Sequence, residues 1–154
     1  PPFLHDAPEL RATARSTAAS GVQWCLLYIC EAHASDTWPL KFSHEQPRPA
    51  SIEQRCEYAA RCAASLGLAA AGFRTMVDTM DDACNAALCA WPTAYYVVDA
   101  AGTLLYIGEA KEGDYGYDVH ELTAFVRRWC RAHRPAPKAA AEGCAGARRV
   151  GSRR

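Results

Sequence analysis

Apolar and polar positions along the chain form blocks that predict strands and helices in turn. Residues 22–30 are almost continuously apolar, which is typical of a central strand covered on both faces. Shorter apolar runs over residues 73–77, 95–98 and 104–107 predict three further strands. Because Gly102 lies between the last two runs and can adopt a positive φ, these runs predict an antiparallel hairpin.

Three longer segments repeat apolar side chains at the spacing of a helix. The first is predicted to begin at Asp6, as its N-cap, and to end at Gly21. The second follows a capping box in which the Gln54 side chain reaches back to the Ser51 amide. The third begins at Asp118 and carries the most regular apolar stripe in the chain.

A shorter helix is predicted over residues 79–89, with Thr79 as its N-cap. Its inner face is predicted to carry Met80, Cys84, Leu88 and Trp91. The order along the chain is then α, β, α, β, α, β, β, α. A βαβ crossover followed by a hairpin and a closing helix is the arrangement of a thioredoxin-like fold. We therefore predict an α/β protein in which helices flank a mixed central sheet.

Charge divides the 154 residues into an acidic body and a basic tail. Residues 1–126 carry 8 Lys/Arg against 16 Asp/Glu, whereas residues 127–154 carry 9 Lys/Arg against one Glu. This distribution argues against a fold that binds specific nucleic acids, because the basic residues lie outside the predicted core. We predict one domain over residues 1–133 and a disordered basic tail over residues 134–154.

The eight cysteines do not form a recognisable metal or redox motif. Most lie within apolar runs, where a free thiol packs as a small apolar side chain. The chain contains neither a Cys-x-x-Cys pair nor histidines at zinc-finger spacing, so we predict neither a dithiol nor a bound metal. Cysteines in this distribution favour a reducing, cytoplasmic environment.

The candidate chemistry lies in the segment that leaves the first predicted strand, because ligands gather at strand ends in α/β folds. In an extended segment Glu31 and His33 point the same way. A carboxylate beside an imidazole raises the imidazole pKa and fixes its orientation, as a proton-transfer pair requires. The alternative interpretation is a polar loop that simply leaves a buried strand.

Two further segments could line this site. Pro92, just before the third strand, could follow a cis peptide bond and act as a structural element of the site. Residues 108–117 are rich in Gly and Tyr. They could cover an aromatic ligand, or they could be a surface connection, which is the more common use of such a loop.

Residues 28–38 read YICEAHASDTW and closely resemble the YIxEAHxSDGW signature of the iodothyronine deiodinase family, with Thr37 in place of Gly. The resemblance continues through residues 51–55, 77–82 and 94–98, and it covers about the first 130 residues. Several features are closer to the microbial deiodinase-like branch than to the vertebrate hormone enzymes.

The resemblance implies a thioredoxin-like oxidoreductase that removes iodide reductively from an iodinated aromatic substrate such as thyroxine. The family's nucleophile is a selenocysteine or cysteine followed by Pro-Pro-Phe, and this sequence begins Pro1-Pro2-Phe3. The nucleophile is therefore expected immediately before Pro1, and the chain as written is expected to be inactive. A selenocysteine codon read as a stop would produce such a start.

The resemblance also implies which residues form the site. Glu31 and His33 match the family positions for the proton network and the contact with the substrate phenol. We expect Tyr28, Trp38 and Lys111 to bind substrate, with Lys111 facing a substrate carboxylate.

The implied partners are an iodinated aromatic molecule and a thiol reductant, without a bound cofactor. Membrane contact is expected only through an N-terminal anchor that this sequence does not contain, and a homodimer is possible. The alternatives are a thioredoxin-like thiol or selenol peroxidase or reductase, and an interaction module without activity. A deiodinase needs an aromatic pocket around His33, whereas a peroxidase needs only a small polar notch.

Overall fold

The computed structural model describes residues 2–40, 46–108 and 117–133, and only the backbone at positions 2 and 3. Its helices and strands are α1 (Pro2–Thr17), β1 (Trp24–Tyr28), α2 (Ile52–Ser65), β2 (Phe73–Val77), α3 (Ala83–Leu88), β3 (Tyr96–Val98), β4 (Leu104–Ile107) and α4 (Val119–Ala132). This order confirms the predicted alternation. The predicted basic tail, residues 134–154, lies outside the described residues.

The strands form a parallel pair and an antiparallel pair. Strand β1 pairs with β2 in parallel, with Trp24 opposite Phe73, and β3 pairs with β4 as the predicted hairpin. The α/β, thioredoxin-like prediction is confirmed. Over the described residues the mixed sheet consists of two separate two-stranded ladders, β1–β2 and β3–β4.

One apolar cluster joins both ladders to α1 and α4. Its buried members are Leu10, Tyr95, Val119, Leu122, Val126 and Cys130. Trp24 and Phe73 pack against this cluster from the parallel ladder, and Val97 and Tyr106 pack against it from the hairpin. Because each fully buried large apolar side chain stabilises the fold by roughly 1.5–3 kcal/mol, this shared cluster holds the two ladders together.

Two predictions about β1 and α1 need correction. Strand β1 is not covered on both faces, since Cys25 is exposed and the other four residues are only partly buried. Helix α1 begins at Pro2, four residues before the predicted N-cap. The Asp6 carboxylate instead accepts a hydrogen bond from the Tyr95 hydroxyl at 2.6 Å. The group that was predicted to cap its own helix therefore binds a residue far away in the chain.

Ser51 is the N-cap of α2, as the predicted capping box requires, but the predicted return bond from Gln54 is wrong. The Gln54 amide donates to the Ser51 hydroxyl at 3.3 Å. The Gln54 side-chain oxygen accepts from the Ala50 amide at 2.7 Å rather than from the Ser51 amide. Behind this cap the small side chains of Ala59 and Ala63 are buried, which places α2 close to β2.

Helix α3 is shorter than predicted, and its predicted inner face is wrong. The helix spans six residues, and Met80, Leu88 and Trp91 remain between 39% and 42% exposed. With fewer than two turns, the helix is held by polar contacts at its first turn rather than by an apolar stripe. None of the described helices is long and apolar enough to span a membrane.

Candidate active site

The start of α1 and the end of β1 lie at the same edge of the parallel ladder. The Trp24 indole donates to the Thr17 hydroxyl at 3.2 Å, which places the beginning of β1 beside the end of α1. Further along, Leu26 of β1 packs against the apolar cluster that contains Ala7, nearer the start of α1, so helix and strand run in opposite directions. The beginning of α1 therefore lies towards the segment that follows Tyr28. The bond between Tyr95 and Asp6 ties the same end of α1 to the chain that follows Pro92.

Glu31 is held at this edge by a residue from its own strand. The Tyr28 hydroxyl donates to one Glu31 carboxylate oxygen at 2.8 Å, and the other carboxylate oxygen is buried without a hydrogen-bond partner among the described residues. Burial, and then the contact with Glu31, raise the pKa of Tyr28, so the phenol stays protonated and donates. Tyr28, expected to bind substrate, thus orients the carboxylate.

His33 lies against Trp38 rather than against Glu31. The two rings are 4.8 Å apart between centroids, and His33 Nδ1 lies 3.3 Å from the Trp38 carbonyl oxygen. The chain turns at residues 32–33 instead of remaining extended. Among the described residues no hydrogen bond joins Glu31 to His33, so the predicted direct pairing is wrong. Glu31 is held by Tyr28, and His33 is held by Trp38. The indole of Trp38, 52% exposed, is accessible to a ligand.

The peptide bond between Trp91 and Pro92 is cis, as the sequence suggested it could be. Next to it the Thr93 hydroxyl is buried without a partner among the described residues. Tyr117 belongs to the segment 108–117 that could have covered an aromatic ligand. It packs edge-on against Tyr95 in the core, with ring centroids 6.1 Å apart. Lys111, expected to bind a substrate carboxylate, lies outside the described residues, as do its neighbours at 109–116.

Asp78, which was not predicted as a site residue, is a carboxylate that organises this edge. Asp78 is 1% exposed and accepts hydrogen bonds from the backbone amides of Thr79, Cys84 and Asn85 at 2.8, 2.9 and 2.8 Å. Burial alone would raise its pKa, but the three donors outweigh burial and hold the pKa below its usual range. Asp78, rather than Thr79, therefore provides the main cap of α3.

Arg55, also missed, supplies the positive charge beside Asp78. Its guanidinium is buried and donates to the carbonyl oxygens of Asp78 and Thr79, at 3.4 and 2.5 Å, and to the Asp82 carboxylate at 2.8 Å. The sequence held one usable signal, an acidic residue directly after an apolar strand. We call Arg55, Asp78 and Asp82 the buried polar cluster.

The buried polar cluster is attached to the end of β1 at two points. The Asp78 amide donates to the Tyr28 carbonyl at 2.8 Å, and the Asn85 side-chain amide donates to the Cys30 sulfur at 3.6 Å. Burial, and then the Asp82 charge, raise the pKa of the Cys30 thiol, so this cysteine is held neutral. The site edge therefore combines a carboxylate, an imidazole and an aromatic surface on a rigid polar support.

Fold and site together define a class: an α/β domain of the thioredoxin-like type whose reactive groups lie at the carboxyl end of a parallel strand pair. A family model described as iodothyronine deiodinase matches residues 1–130. The chain belongs to the iodothyronine deiodinase family.

Curated relatives agree with the family model. The chain is 29% identical over 128 residues to a type I iodothyronine deiodinase of Xenopus laevis, a match that covers 83% of this chain and 48% of the relative. It is 35% identical over 109 residues to thyroxine 5-deiodinases of Rattus norvegicus and Homo sapiens, covering 70% of this chain and 34% of each relative. The chain spans less than half the length of these relatives.

Proposed function

We propose that this domain performs reductive deiodination of an iodinated aromatic substrate, with a thiol as reductant. The observation that carries the proposal is the direction of α1, which runs opposite to β1. This direction supports a nucleophile before Pro1 on the side of the ladder where the segment with Glu31 and His33 begins. Family membership supports the reaction class, since the matched relatives are named deiodinases. The same matches give no support to the peroxidase alternative.

The proposed chemistry balances with two thiols. A selenolate or thiolate before Pro1 attacks the iodine, and a chalcogen–iodine bond forms as the carbon–iodine bond breaks. The electron pair of that bond stays on the ring carbon, which takes a proton. One thiol then displaces iodide and forms a selenenyl sulfide or a disulfide with the enzyme. A second thiol attacks that bond, which releases the reduced enzyme and a disulfide of the two thiols. Two electrons pass from the thiols to the substrate.

The described residues have distinct parts in this proposal. Glu31, oriented by Tyr28, lies within the proton network that serves the ring carbon. His33 faces the substrate phenol, and the exposed indole of Trp38 provides an aromatic surface for the iodinated ring.

Binding can be tested on the chain as it stands. Iodine quenches indole fluorescence on contact, so thyroxine should quench Trp38, whereas iodine-free thyronine should not. Replacement Trp38→Phe should remove most of the saturable quenching. Trp91→Phe, which changes another partly exposed indole, should keep it. Equal quenching by thyroxine of the Trp38→Phe protein and the unchanged protein would contradict the proposed ligand surface.

Catalysis can be tested on a chain extended by one cysteine before Pro1, with a serine extension as the matched control. We expect iodide release from thyroxine with dithiothreitol for the cysteine form alone. Glu31→Gln and His33→Ala should each lower the rate by about 100-fold, which is the size typical of a lost proton-transfer group. A folded cysteine form that consumes hydrogen peroxide but releases no iodide would overturn deiodination.

A further inference from the structure

Asn85 connects the buried polar cluster to the residue that precedes Glu31. Its side-chain amide donates to the Cys30 sulfur at 3.6 Å, and Asn85 and Cys30 are 55 positions apart in the chain. Two residues earlier in β1, the Tyr28 carbonyl accepts the Asp78 amide at 2.8 Å. The segment that carries both Tyr28 and Glu31 is therefore held from one side by two contacts.

These two contacts share a rigid base. The backbone amide of Asn85 donates to the Asp78 carboxylate at 2.8 Å, so the residue that anchors Tyr28 also anchors Asn85. Asp78 is almost fully buried, and the Arg55 guanidinium donates to the Asp78 carbonyl at 3.4 Å. A displacement of the Asn85 backbone would thus require the first turn of α3 to move with it.

The Asn85 side chain is an unfavourable choice for packing alone. Its carbonyl oxygen is buried without a partner among the described residues. An unpaired buried acceptor loses its hydration without compensation, so an apolar residue of the same size would be the more stable occupant. The feature that an apolar residue could not supply is the N–H donor to Cys30.

We propose that Asn85 is a positioning residue for Glu31, which it places by fixing Cys30 against the buried polar cluster. This inference rests on the proposed function of Glu31. The hydrogen bond between Tyr28 and Glu31, 2.8 Å long, requires a particular backbone conformation between the two residues. Cys30 is part of that backbone segment. Without the Asn85 donor, the carboxylate would sample orientations that lack the Tyr28 hydrogen bond.

The first arm of the test uses the chain as it stands. Alkylation of each cysteine by iodoacetamide is followed by mass spectrometry, with the exposed Cys56 as the internal reference. We expect Asn85→Ala to accelerate alkylation of Cys30 by about tenfold. Gln23→Ala, which removes an exposed amide before β1, should change nothing. An unchanged Cys30 rate in a folded Asn85→Ala protein overturns the proposal.

The second arm uses the chain extended by a cysteine before Pro1. Asn85→Leu substitutes an apolar side chain of similar size and should keep the melting temperature. It should still lower kcat by about tenfold, with KM within twofold. In a Glu31→Gln background the same change should have no further effect, because its route to catalysis is already removed. An equal loss in both backgrounds would assign Asn85 a merely structural role and overturn the proposal.

The two arms separate this proposal from the function on which it rests. If the extended chain releases no iodide, deiodination fails, whereas the alkylation result still reports on the contact between Asn85 and Cys30. If iodide is released and Glu31→Gln has its expected effect, but Asn85→Leu leaves kcat unchanged, the positioning role fails and the proposed function stands.

Discussion

Two Arg–carboxylate pairs of equal length hold different regions of this molecule. Arg55 and Asp82 are 2.8 Å apart at the site edge, with 4% and 33% of their side chains exposed. Arg127 and Glu9, on α4 and α1, are also 2.8 Å apart, with 40% and 28% exposed. The comparison shows that distance alone does not determine the importance of an ion pair. The contribution of an ion pair to stability depends on whether water can take the place of one of its two charged groups.

At the site edge water cannot readily replace Arg55, because the guanidinium is itself buried and also serves the carbonyl groups of Asp78 and Thr79. Removal of the guanidinium would leave these acceptors and the Asp82 charge uncompensated. Between α1 and α4 the apolar cluster that includes Leu10 and Leu122 provides the cohesion, and the pair of Glu9 with Arg127 lies at its margin. The site edge thus depends on buried polar contacts, and the helix pair depends on apolar packing.

The largest effect is expected at Arg55. Arg55→Met should lower the free energy of unfolding by about 3 kcal/mol, because it leaves the buried Asp78 carbonyl without its donor and the Asp82 carboxylate without its cation. The matched control is Arg74→Met, which removes an exposed arginine from β2 and should cost less than about 0.5 kcal/mol. Urea denaturation of both variants measures the difference. Similar midpoints would show that the buried polar cluster is no more important than the surface.

An intermediate effect is expected at Asp78, and it should depend on pH. Because its pKa is lowered in the folded state, the ionised carboxylate contributes stability that is fully present above the unfolded pKa of about 3.9. This contribution disappears as the pH falls through the lower, folded-state pKa. Asp78→Asn should therefore cost about 2 kcal/mol at neutral pH and progressively less below pH 4.

Asp81→Asn is the control for that prediction, since Asp81 is an exposed carboxylate in the same loop. Thermal denaturation from pH 7 to pH 2 should show a gap between wild type and Asp78→Asn that narrows in acid. A gap of constant size across this range would show that the Asp78 hydrogen bonds do not depend on its charge.

The smallest effect is expected for the pair of Glu9 with Arg127. A double-mutant cycle with Glu9→Gln and Arg127→Met should give a coupling free energy of about 0.5 kcal/mol, which is typical of partly exposed pairs. High salt should reduce this value by screening. If the coupling free energy reached that of a buried pair, the proposed contrast between the two regions would be wrong.

Local patterns in the sequence predicted the elements that local interactions determine. The capping box at Ser51 and the apolar run of β2 were recognisable because each depends on residues a few positions apart. The motif over residues 28–38 predicts Glu31 and His33 as site residues by resemblance. The same motif did not show that each would be held by a different aromatic neighbour, because a turn at residues 32–33 separates their side chains.

The sequence by itself determined the order of helices and strands and the family to which the chain belongs. Only the tertiary structure revealed the support of the site. The contact between Arg55 and Asp82 joins residues 27 positions apart, and that between Asn85 and Cys30 joins residues 55 apart. No local pattern encodes such contacts. They exist because burial removes water as a competing partner, so a buried polar group is stabilised by a complement from a distant part of the chain.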